Sequence, residues 1–472
     1  MLFKSKAKEE FQIEDITSDA MKRMIERCVD MYQGHPLWVN EKDHIKTVNF
    51  AKSVCSETAR LATLQLKIDI EGGARAEWIQ KQINAIMFKI REWVEYGCAY
   101  GTVILKPNGE TIDMYTPDNF IVTDCRNGKI TGIVFFNHDV DETGKKFYTR
   151  LEYHRLLPDR QYEVRNVCYV GSSENDMNKK IPIDETSWSG LAEYAYGENI
   201  DKPLYGVLRM PNANNVDVDS PLSLPIFADA IEELKDLDIA YSRNAKEIVD
   251  SKRMVVLDSD RLMPSGNKVS NTAAGFEQSR ESLGLPDYVK NVYGSGTDDF
   301  YQEVNPSLNT DTRLTGINAL LSQIGYKIGF SNGYFVFNEK TGFATATQVE
   351  SEQSRTIQFI EDIRTRIKAC MYDVVYAVNV FGDNMLDSRL YPAEDFLESI
   401  YTDENERKIH IHFGPIYTNA AEDRQRALQL TMQNFYPKEY YLHMYEGLSE
   451  KEAEELVKQA TPKEPTLFGR EE

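Results

Sequence analysis

The chain has 472 residues, 41% of them hydrophobic and 27% charged, so it can build large cores and is not a disordered protein. Its length allows two to four domains. Acidic residues outnumber basic ones by 75 to 54, which gives a net charge of −21. A protein this acidic cannot grip nucleic acid over its whole surface, because phosphate contacts need lysine and arginine.

Cysteine usage and hydropathy predict an intracellular chain. The six cysteines show no C-x-x-C pair and no disulfide-framework spacing, which is typical of reduced thiols. The first ten residues lack the apolar core of a signal peptide, and no run of 18 apolar residues occurs. We therefore expect no membrane span.

The first hundred residues are predicted to be helical. Apolar side chains recur three or four residues apart in three stretches. These stretches are 14–33, 44–66 and roughly 76–98.

After these stretches, the spacing of apolar residues changes from that of helices to that of strands. Pro107-Asn108-Gly109 lies between the β-rich runs 102–105 and 111–115 and predicts a hairpin. An antiparallel meander is predicted next, and a long surface connection follows it where Gly, Pro, Asn and Ser are frequent. The meander runs are 129–137, 146–156 and 161–170, and the connection is 171–222.

The second half is predicted to be mainly helical, beginning with 226–249 and a helix that ends at Gly329. A mixed segment with short strand-like pieces lies between these two helices. The longest pattern ends at Gly382 and spans on the order of 50 Å. Its start is marked either by a capping box at 347–350 or by a rival cap at 345–348. The tail returns to a strand at 408–413 and ends in short helices.

Enzyme motifs are missing from the sequence, which contains no phosphate-binding loop, dinucleotide fingerprint, H-E-x-x-H or G-x-S-x-G. His410 and His412 would share one face of a strand, but zinc needs three or four ligands. Asp258, Asp260 and Glu303 are the best candidates for a two-metal nuclease, although acidic loops more often reflect turn chemistry. We predict no catalytic residue, no metal site and no cofactor.

Two acidic stretches are more informative. Between Asp383 and Glu406, eight carboxylates accompany a single arginine, and a solvated rim is the favoured interpretation. Helix 226–249 has an apolar face and an acidic face, which faces water in a monomer and could face a channel in a ring. The acidic face holds Asp229, Glu232, Glu233 and Asp236.

Four segments follow one another in a distinctive order: LEYH at 151–154, NNVDVDSPL at 214–222 with LKDLD at 234–238, TGFATATQVESE at 341–352 and GLSEKEAE at 447–454. In this order they resemble segments of the portal proteins of tailed bacteriophages, above all those of phages that infect Gram-positive bacteria. The likeness covers about residues 40–460, and the order of the segments carries it more than any single one. Many relatives place glycine after Ser-Pro-Leu, where this chain has Ser223.

The resemblance implies an α+β portal fold with a mixed α/β wing, a helical stem, a small α/β clip, a long spine helix and a helical crown. The implied divisions are the wing 1–222 with its N-terminal helices and meander, the stem helix 223–251, the clip 252–308, the second stem helix 309–330, the tunnel loop 331–344, the spine helix and wing return 345–410, and the C-terminal crown region 411–472.

The resemblance also implies function. Portal subunits form a ring, commonly of twelve copies, at one capsid vertex of the virion after assembly in the host cytoplasm. The terminase large subunit packages double-stranded DNA through the ring, and the DNA later leaves by the same route. Head-completion or adaptor proteins, the major capsid protein and scaffolding proteins are the other expected partners, with no membrane. The implied site residues are Asn338, Glu339 and Lys340 in the tunnel loop, the four stem carboxylates facing the channel, and Asp258, Asp260 and Arg261 in the clip.

Two other classes of function stay open. One is a metal-dependent DNA-processing enzyme of the packaging apparatus, which needs clustered carboxylates. The other is a structural capsid adaptor without a DNA channel, which predicts no closed ring of about twelve copies.

Overall fold

The computed structural model shows a protein of mixed helix and strand, with 45% helix and 22% strand, so the expected α+β class is confirmed. Two compact units are present: residues 1–340 with 355–413, and residues 341–354 with 414–472. The structure describes residues 2–39, 44–109, 111–141, 144–173, 176–250, 254–258, 288–292, 301–304, 309–337, 346–386, 389–392, 408–416, 420–433, 435–439, 441–442, 453 and 456–458.

Helices predominate in the first hundred residues of the described chain and again in its second half. They are α1 Leu2–Phe11, α2 Asp19–Tyr32, α3 Phe50–Ala62, α4 Ala74–Ile86, α5 Ile90–Tyr100, α6 Ile231–Asp250, α7 Thr310–Ile328, α8 Ala346–Met385 and α9 Ala420–Met432, with 3₁₀ turns at Ile183–Glu185 and Ala228–Ala230.

The strands are β1 Lys67–Ile70, β2 Thr102–Asn108, β3 Thr111–Tyr115, β4 Phe120–Arg126, β5 Lys129–Val140, β6 Phe147–Leu156, β7 Tyr162–Gly171, β8 Lys179–Ile181, β9 Tyr194–Gly197, β10 Gly206–Arg209, β11 Met254–Asp258, β12 Tyr288–Val292, β13 Tyr301–Val304 and β14 Ile409–His412. The described strands form four sheets, in the orders β10-β2-β3, β4-β5-β6-β7-β8 with β9 beside β7, β12-β11-β13, and β1-β14.

The N-terminal helices differ from the predicted ones. The stretch predicted as one helix over 76–98 is two helices, α4 and α5. Ile86 and Ile90 keep a four-residue spacing across the break, so periodicity alone does not show it. Helix α3 begins only after Asn49, whose left-handed backbone (φ 53°) excludes an earlier start.

The meander of β5, β6 and β7 is confirmed, and both of its faces are buried. On one face, α1 packs its Ala7 and Phe11 against Leu151 and Tyr153. On the other face, His154 of β6 lies against Tyr205, which is fully covered. Successive residues of a strand point to opposite faces, so the whole 151–154 segment is buried.

The expected surface connection at 171–222 is wrong for residues 204–210. Strand β10 in this segment joins β2, and its neighbour Tyr205 donates a hydrogen bond to the carbonyl of Ile130. A Cβ at Gly206 would lie 2.5 Å from the Cys370 carbonyl oxygen of α8. Glycine here permits close packing inside the core, and composition alone suggested a loop instead.

The long helix predicted to end at Gly382 is confirmed as α8, which has 40 residues and a length of about 60 Å. It begins at Ala346, so the rival cap at 345–348 agrees better with its start. Between Phe359 and Val378, most of its apolar residues are buried in the first unit. Helix α7 ends at Ile328 and Gly329 follows it with φ 124°, as the sequence predicts.

In the second unit, the described part of the tail contains α9. There Thr431 donates a hydrogen bond from its hydroxyl to the Ala427 carbonyl, 2.8 Å away. The domain divisions drawn from the resemblance stay predictions.

Candidate functional site

Helices α6 and α7 form an antiparallel pair, and this pair holds the predicted stem carboxylates. The start of α6 lies beside the end of α7, since Glu233 contacts Lys327, and the end of α6 lies beside the start of α7, since Glu247 pairs with Arg313. Leu234 of α6 and Leu321 of α7 are among the buried residues of the two helices. The predicted apolar stripes are therefore buried where the start of α6 lies beside the end of α7, whereas Tyr241, Ile248 and Leu314 toward the other end are exposed.

Charged contacts join the two helices at both ends. The Glu233 carboxylate accepts from Lys327 Nζ at 2.6 Å and from Gln323 Nε2 at 3.1 Å, and only 13% of its side chain is exposed. Lys327 also donates to the Asp229 carbonyl at 3.0 Å. At the other end, Glu247 pairs with Arg313 and accepts from the Asn309 backbone N–H at 3.3 Å. These bonds fix the axial register of the pair.

The four predicted stem carboxylates are therefore not equivalent. Asp229 is exposed and accepts from Asn215 at 2.8 Å, and Glu232 pairs with Arg27 of α2 at 3.0 Å. Glu233 turns toward α7, away from the three exposed groups. Asp236 is exposed. The uniform acidic face that periodicity predicts is thus reduced to Asp229, Glu232 and Asp236.

The opposite side of α6 holds a carboxylate that the sequence analysis missed. Asp238 is only 4% exposed and accepts from Trp38 Nε1 at 2.9 Å and from the Val48 backbone N–H at 2.8 Å. Nearby, the Ser242 hydroxyl accepts from the Lys46 backbone N–H at 2.9 Å. A signal was present, because Asp238 follows Leu234 by four residues and so stands on the apolar face.

The first half of the predicted tunnel loop is firmly anchored. Phe330 packs its ring against Phe335 at 4.8 Å and against Phe359 of α8 at 5.7 Å. Ser331 accepts and donates hydrogen bonds with Thr356, again on α8. The predicted tunnel-loop residues Asn338, Glu339 and Lys340 lie outside the described residues.

The predicted clip contains the small sheet β12-β11-β13. Asp258 ends β11, and Glu303 of β13 stands opposite Val255, three residues away along the strand, or roughly 10 Å. The backbone register therefore does not place these two candidate metal ligands side by side. Asp260 and Arg261 lie outside the described residues.

A buried ionic cluster lies inside the 151–154 segment of the meander. Glu152 accepts from Lys106 Nζ at 2.6 Å, from Arg150 at 3.0 Å and from His154 Nε2 at 2.9 Å. Lys106, Arg150 and His154 are 1% exposed or less. The Tyr162 hydroxyl lies 2.8 Å from His154 Nδ1. Since Nε2 faces a carboxylate, the network assigns the proton to Nε2 and makes Nδ1 the acceptor from Tyr162.

The pKa values in this cluster follow from burial and charge together. Burial alone raises the pKa of Glu152, but Lys106, His154 and Arg150 outweigh it and hold that pKa well below its usual range. Burial lowers the pKa of His154 from 6.5, although Glu152 opposes this change. Burial likewise lowers the pKa of Lys106. The cluster is a neutral histidine beside a charged carboxylate, buried deep in the sheet.

The histidines and cysteines of the described part of the chain lie in separate surroundings. No group of three or more His, Cys, Asp or Glu residues there is arranged to hold a metal ion. His410 lies 3.4 Å from Glu71, and its ring stacks on His412. All six cysteines are unpaired, and burial raises the pKa of Cys28 to about 12. Among the described helices, none combines the length and the apolar character needed to cross a bilayer.

Comparison with models of known protein families and with curated protein sequences finds no match to this chain.

Proposed function

We propose that this protein is a portal protein, which forms a ring at one capsid vertex and gives double-stranded DNA its route into and out of the capsid. The observation that carries the proposal is the order of elements in the second half of the chain. An antiparallel helix pair, α6 and α7, encloses an insertion with a small three-stranded sheet, and a 40-residue helix follows. This is the order that the sequence resemblance implies for stem, clip and spine.

The electrostatics of the helix pair support the same proposal. Asp229 in the 3₁₀ turn before α6, and Glu232 and Asp236 in α6 itself, are exposed. DNA carries one negative charge per about 1.7 Å, so exposed carboxylates repel it and leave it free to slide. Helix N-termini also favour carboxylates, by about 0.3–1 kcal/mol each, which gives Glu232 in the first turn of α6 a structural role besides.

The proposed ring also gives the exposed apolar residues of the pair a role. Tyr241 and Ile248 continue the apolar stripe of α6 and are 46% and 53% exposed, and Leu314 of α7 is 38% exposed. Wedge-shaped subunits in a closed ring cover such surfaces by head-to-tail contact. The terminase, adaptor, capsid and scaffolding proteins are the partners that this function requires.

The first test is the native mass of the purified chain, measured by light scattering, with negative-stain images of the same sample. Twelve copies of a 54.2 kDa chain give about 650 kDa, and we expect a ring near this mass with a central hole. A closed assembly without a hole would favour the capsid adaptor. A monomer that cleaves DNA with Mg²⁺, and loses this activity on Asp258→Ala, would overturn the proposal in favour of the nuclease.

The second test concerns the channel. Asp236→Lys reverses an exposed charge, whereas a lysine at Glu233 would collide electrostatically with Lys327 and disturb the pair itself. We expect Asp236→Lys rings to assemble normally and to package less DNA per capsid. Glu77→Lys, on the exposed first turn of α4, is the matched charge-reversal control. Equal packaging by both variants would show that this face of α6 does not line the channel.

A further inference from the structure

A groove of about 430 Å³ opens on the face of the six-stranded sheet that α1 covers, just beyond the end of that helix. Helix α1 stops at Phe11, and Gln12 follows with a left-handed backbone (φ 53°). The chain then turns away to Ile16, whose N–H bonds to the Val122 carbonyl of β4. The turn leaves the end of the sheet face uncovered, which creates the groove.

Three arginines line this groove, and the sheet register explains their convergence. Arg155 of β6 and Arg165 of β7 lie on the same face as Tyr153, because Tyr153 and Arg155 are two residues apart and Arg165 stands directly opposite Tyr153. Arg126 reaches the groove from the end of β4.

The groove floor is kept open by a glycine and a β-bulge. Gly132 stands opposite Arg155, and a Cβ at Gly132 would lie only 2.4 Å from Thr123 Oγ1. Strand β4 bulges between Val122 and Asp124, which brings the Thr123 hydroxyl over Gly132. That hydroxyl is buried and has no hydrogen-bond partner within the structure. A buried hydroxyl without a hydrogen-bond partner is unfavourable, so a ligand that accepts from it gains affinity.

The charges in the groove leave one guanidinium unneutralised. Arg126 pairs with Asp124 at 2.8 Å, and Arg165 pairs with Glu163 at 3.3 Å. Arg155 is half-buried and contacts no carboxylate in the described part of the chain. In a protein of net charge −21, an arginine held in a concave site without its own acid is an anion-binding group.

We propose that this groove binds a carboxylate side chain from an acidic segment of another protein chain. The guanidinium of Arg155 presents two parallel N–H donors that match one carboxylate, and the Thr123 hydroxyl supplies a third donor. Asp124 and Glu14 also line the site, and their repulsion disfavours a doubly charged phosphate more than a singly charged carboxylate. This binding site is additional to the proposed DNA route and does not depend on it.

The test measures binding of a capped Gly-Glu-Glu-Gly peptide to the full-length protein by isothermal titration calorimetry at low salt. A capped Gly-Gln-Gln-Gly peptide and inorganic phosphate serve as the competing ligands. We expect the acidic peptide to bind at least tenfold more tightly than either, and Arg155→Gln to weaken that binding about tenfold, since a charge-assisted hydrogen bond is worth about 1.5–3 kcal/mol. Arg23→Gln, at an exposed position of α2, is the matched control and keeps full binding.

Thr123→Val keeps the side-chain shape and removes only the hydroxyl, so it tests the site even if Arg155→Gln fails to fold. We expect about threefold weaker peptide binding in this variant. Peptide binding that is equal in wild type, Arg155→Gln and Thr123→Val would overturn the proposal, as would the absence of binding to the wild type. Tighter binding of phosphate than of the acidic peptide would overturn the carboxylate assignment and identify a phosphate site.

Discussion

Ion pairs join separate elements in two regions of this protein, the meander sheet and the α6–α7 pair, but in very different surroundings. In the sheet, Glu152 and Lys106 are 9% and 1% exposed. On the outside of the pair, Glu232 and Arg27 are 70% and 38% exposed. A buried charge that loses its partner stays desolvated without compensation, which is strongly destabilising. An exposed charge that loses its partner is hydrated by water instead. The two regions therefore differ in what a single lost carboxylate should do.

The largest effect is expected for Glu152→Gln, which leaves Lys106 and Arg150 buried without their carboxylate. Removing one partner of a buried pair costs about 3–5 kcal/mol. Urea denaturation should show this loss of unfolding free energy directly. Glu9→Gln, which breaks an exposed pair with Lys6, is the matched control and should cost less than about 1 kcal/mol. Similar losses for both variants would mean that burial does not distinguish the two kinds of pair.

Acidification should also weaken the sheet cluster. The pKa of His154 in the fold lies below 6.5, so protonation favours the unfolded chain and stability falls as the pH drops below about 6.5. The pKa of Glu152 in the fold lies well below 4.5, so its contribution is lost as the pH falls further. Urea midpoints measured from pH 7 to pH 4 should decline, and less steeply in His154→Gln. An unchanged slope in His154→Gln, or the same change in the exposed-site control His35→Gln, would contradict this assignment.

An intermediate effect is expected for Asp238→Ala in the helix pair. The substitution leaves the Trp38 indole N–H and the Val48 backbone N–H without their acceptor, at a cost of about 1–3 kcal/mol. Tryptophan fluorescence during denaturation, to which Trp38 contributes, should report an earlier loss of the contacts that Trp38 and Val48 make with α6. Asp236→Ala, two residues away on the exposed face, should change neither observable.

The smallest effect is expected for Glu232→Gln, which breaks the exposed pair with Arg27. Exposed pairs contribute about 0–1 kcal/mol, and salt screens them. The difference from wild type should be small in low salt and should vanish at 1 M NaCl. A loss comparable with that of Asp238→Ala would show that the outside of the pair is energetically as constrained as its buried side.

The sequence predicted elements well where periodicity is strong, and side-chain surroundings poorly. Helix α8 was found with its apolar face, since nine apolar residues at helical spacing leave no other regular structure. Helix α1 was not predicted, because its ten residues include three lysines and show little amphipathic pattern. Its packing against the sheet stabilises it instead. The sequence placed Asp229, Glu232, Glu233 and Asp236 on one face, but it did not predict that Glu233 turns inward, since the cause is Lys327, 94 positions later in the chain.

The sequence by itself determined the long helices, the meander strands, the α+β class and the net negative charge, because periodicity and composition act over a few neighbouring residues. Tertiary structure decided which charges are buried. Glu152 is a core residue only because both faces of its sheet are covered. Lys106 forms an ion pair with it only because the fold brings β2, a strand of another sheet, next to β6. The pairing register of β5, β6 and β7 likewise places Arg155 in the groove without a carboxylate partner among the described residues. A register is a relation between strands, and no local sequence pattern encodes it.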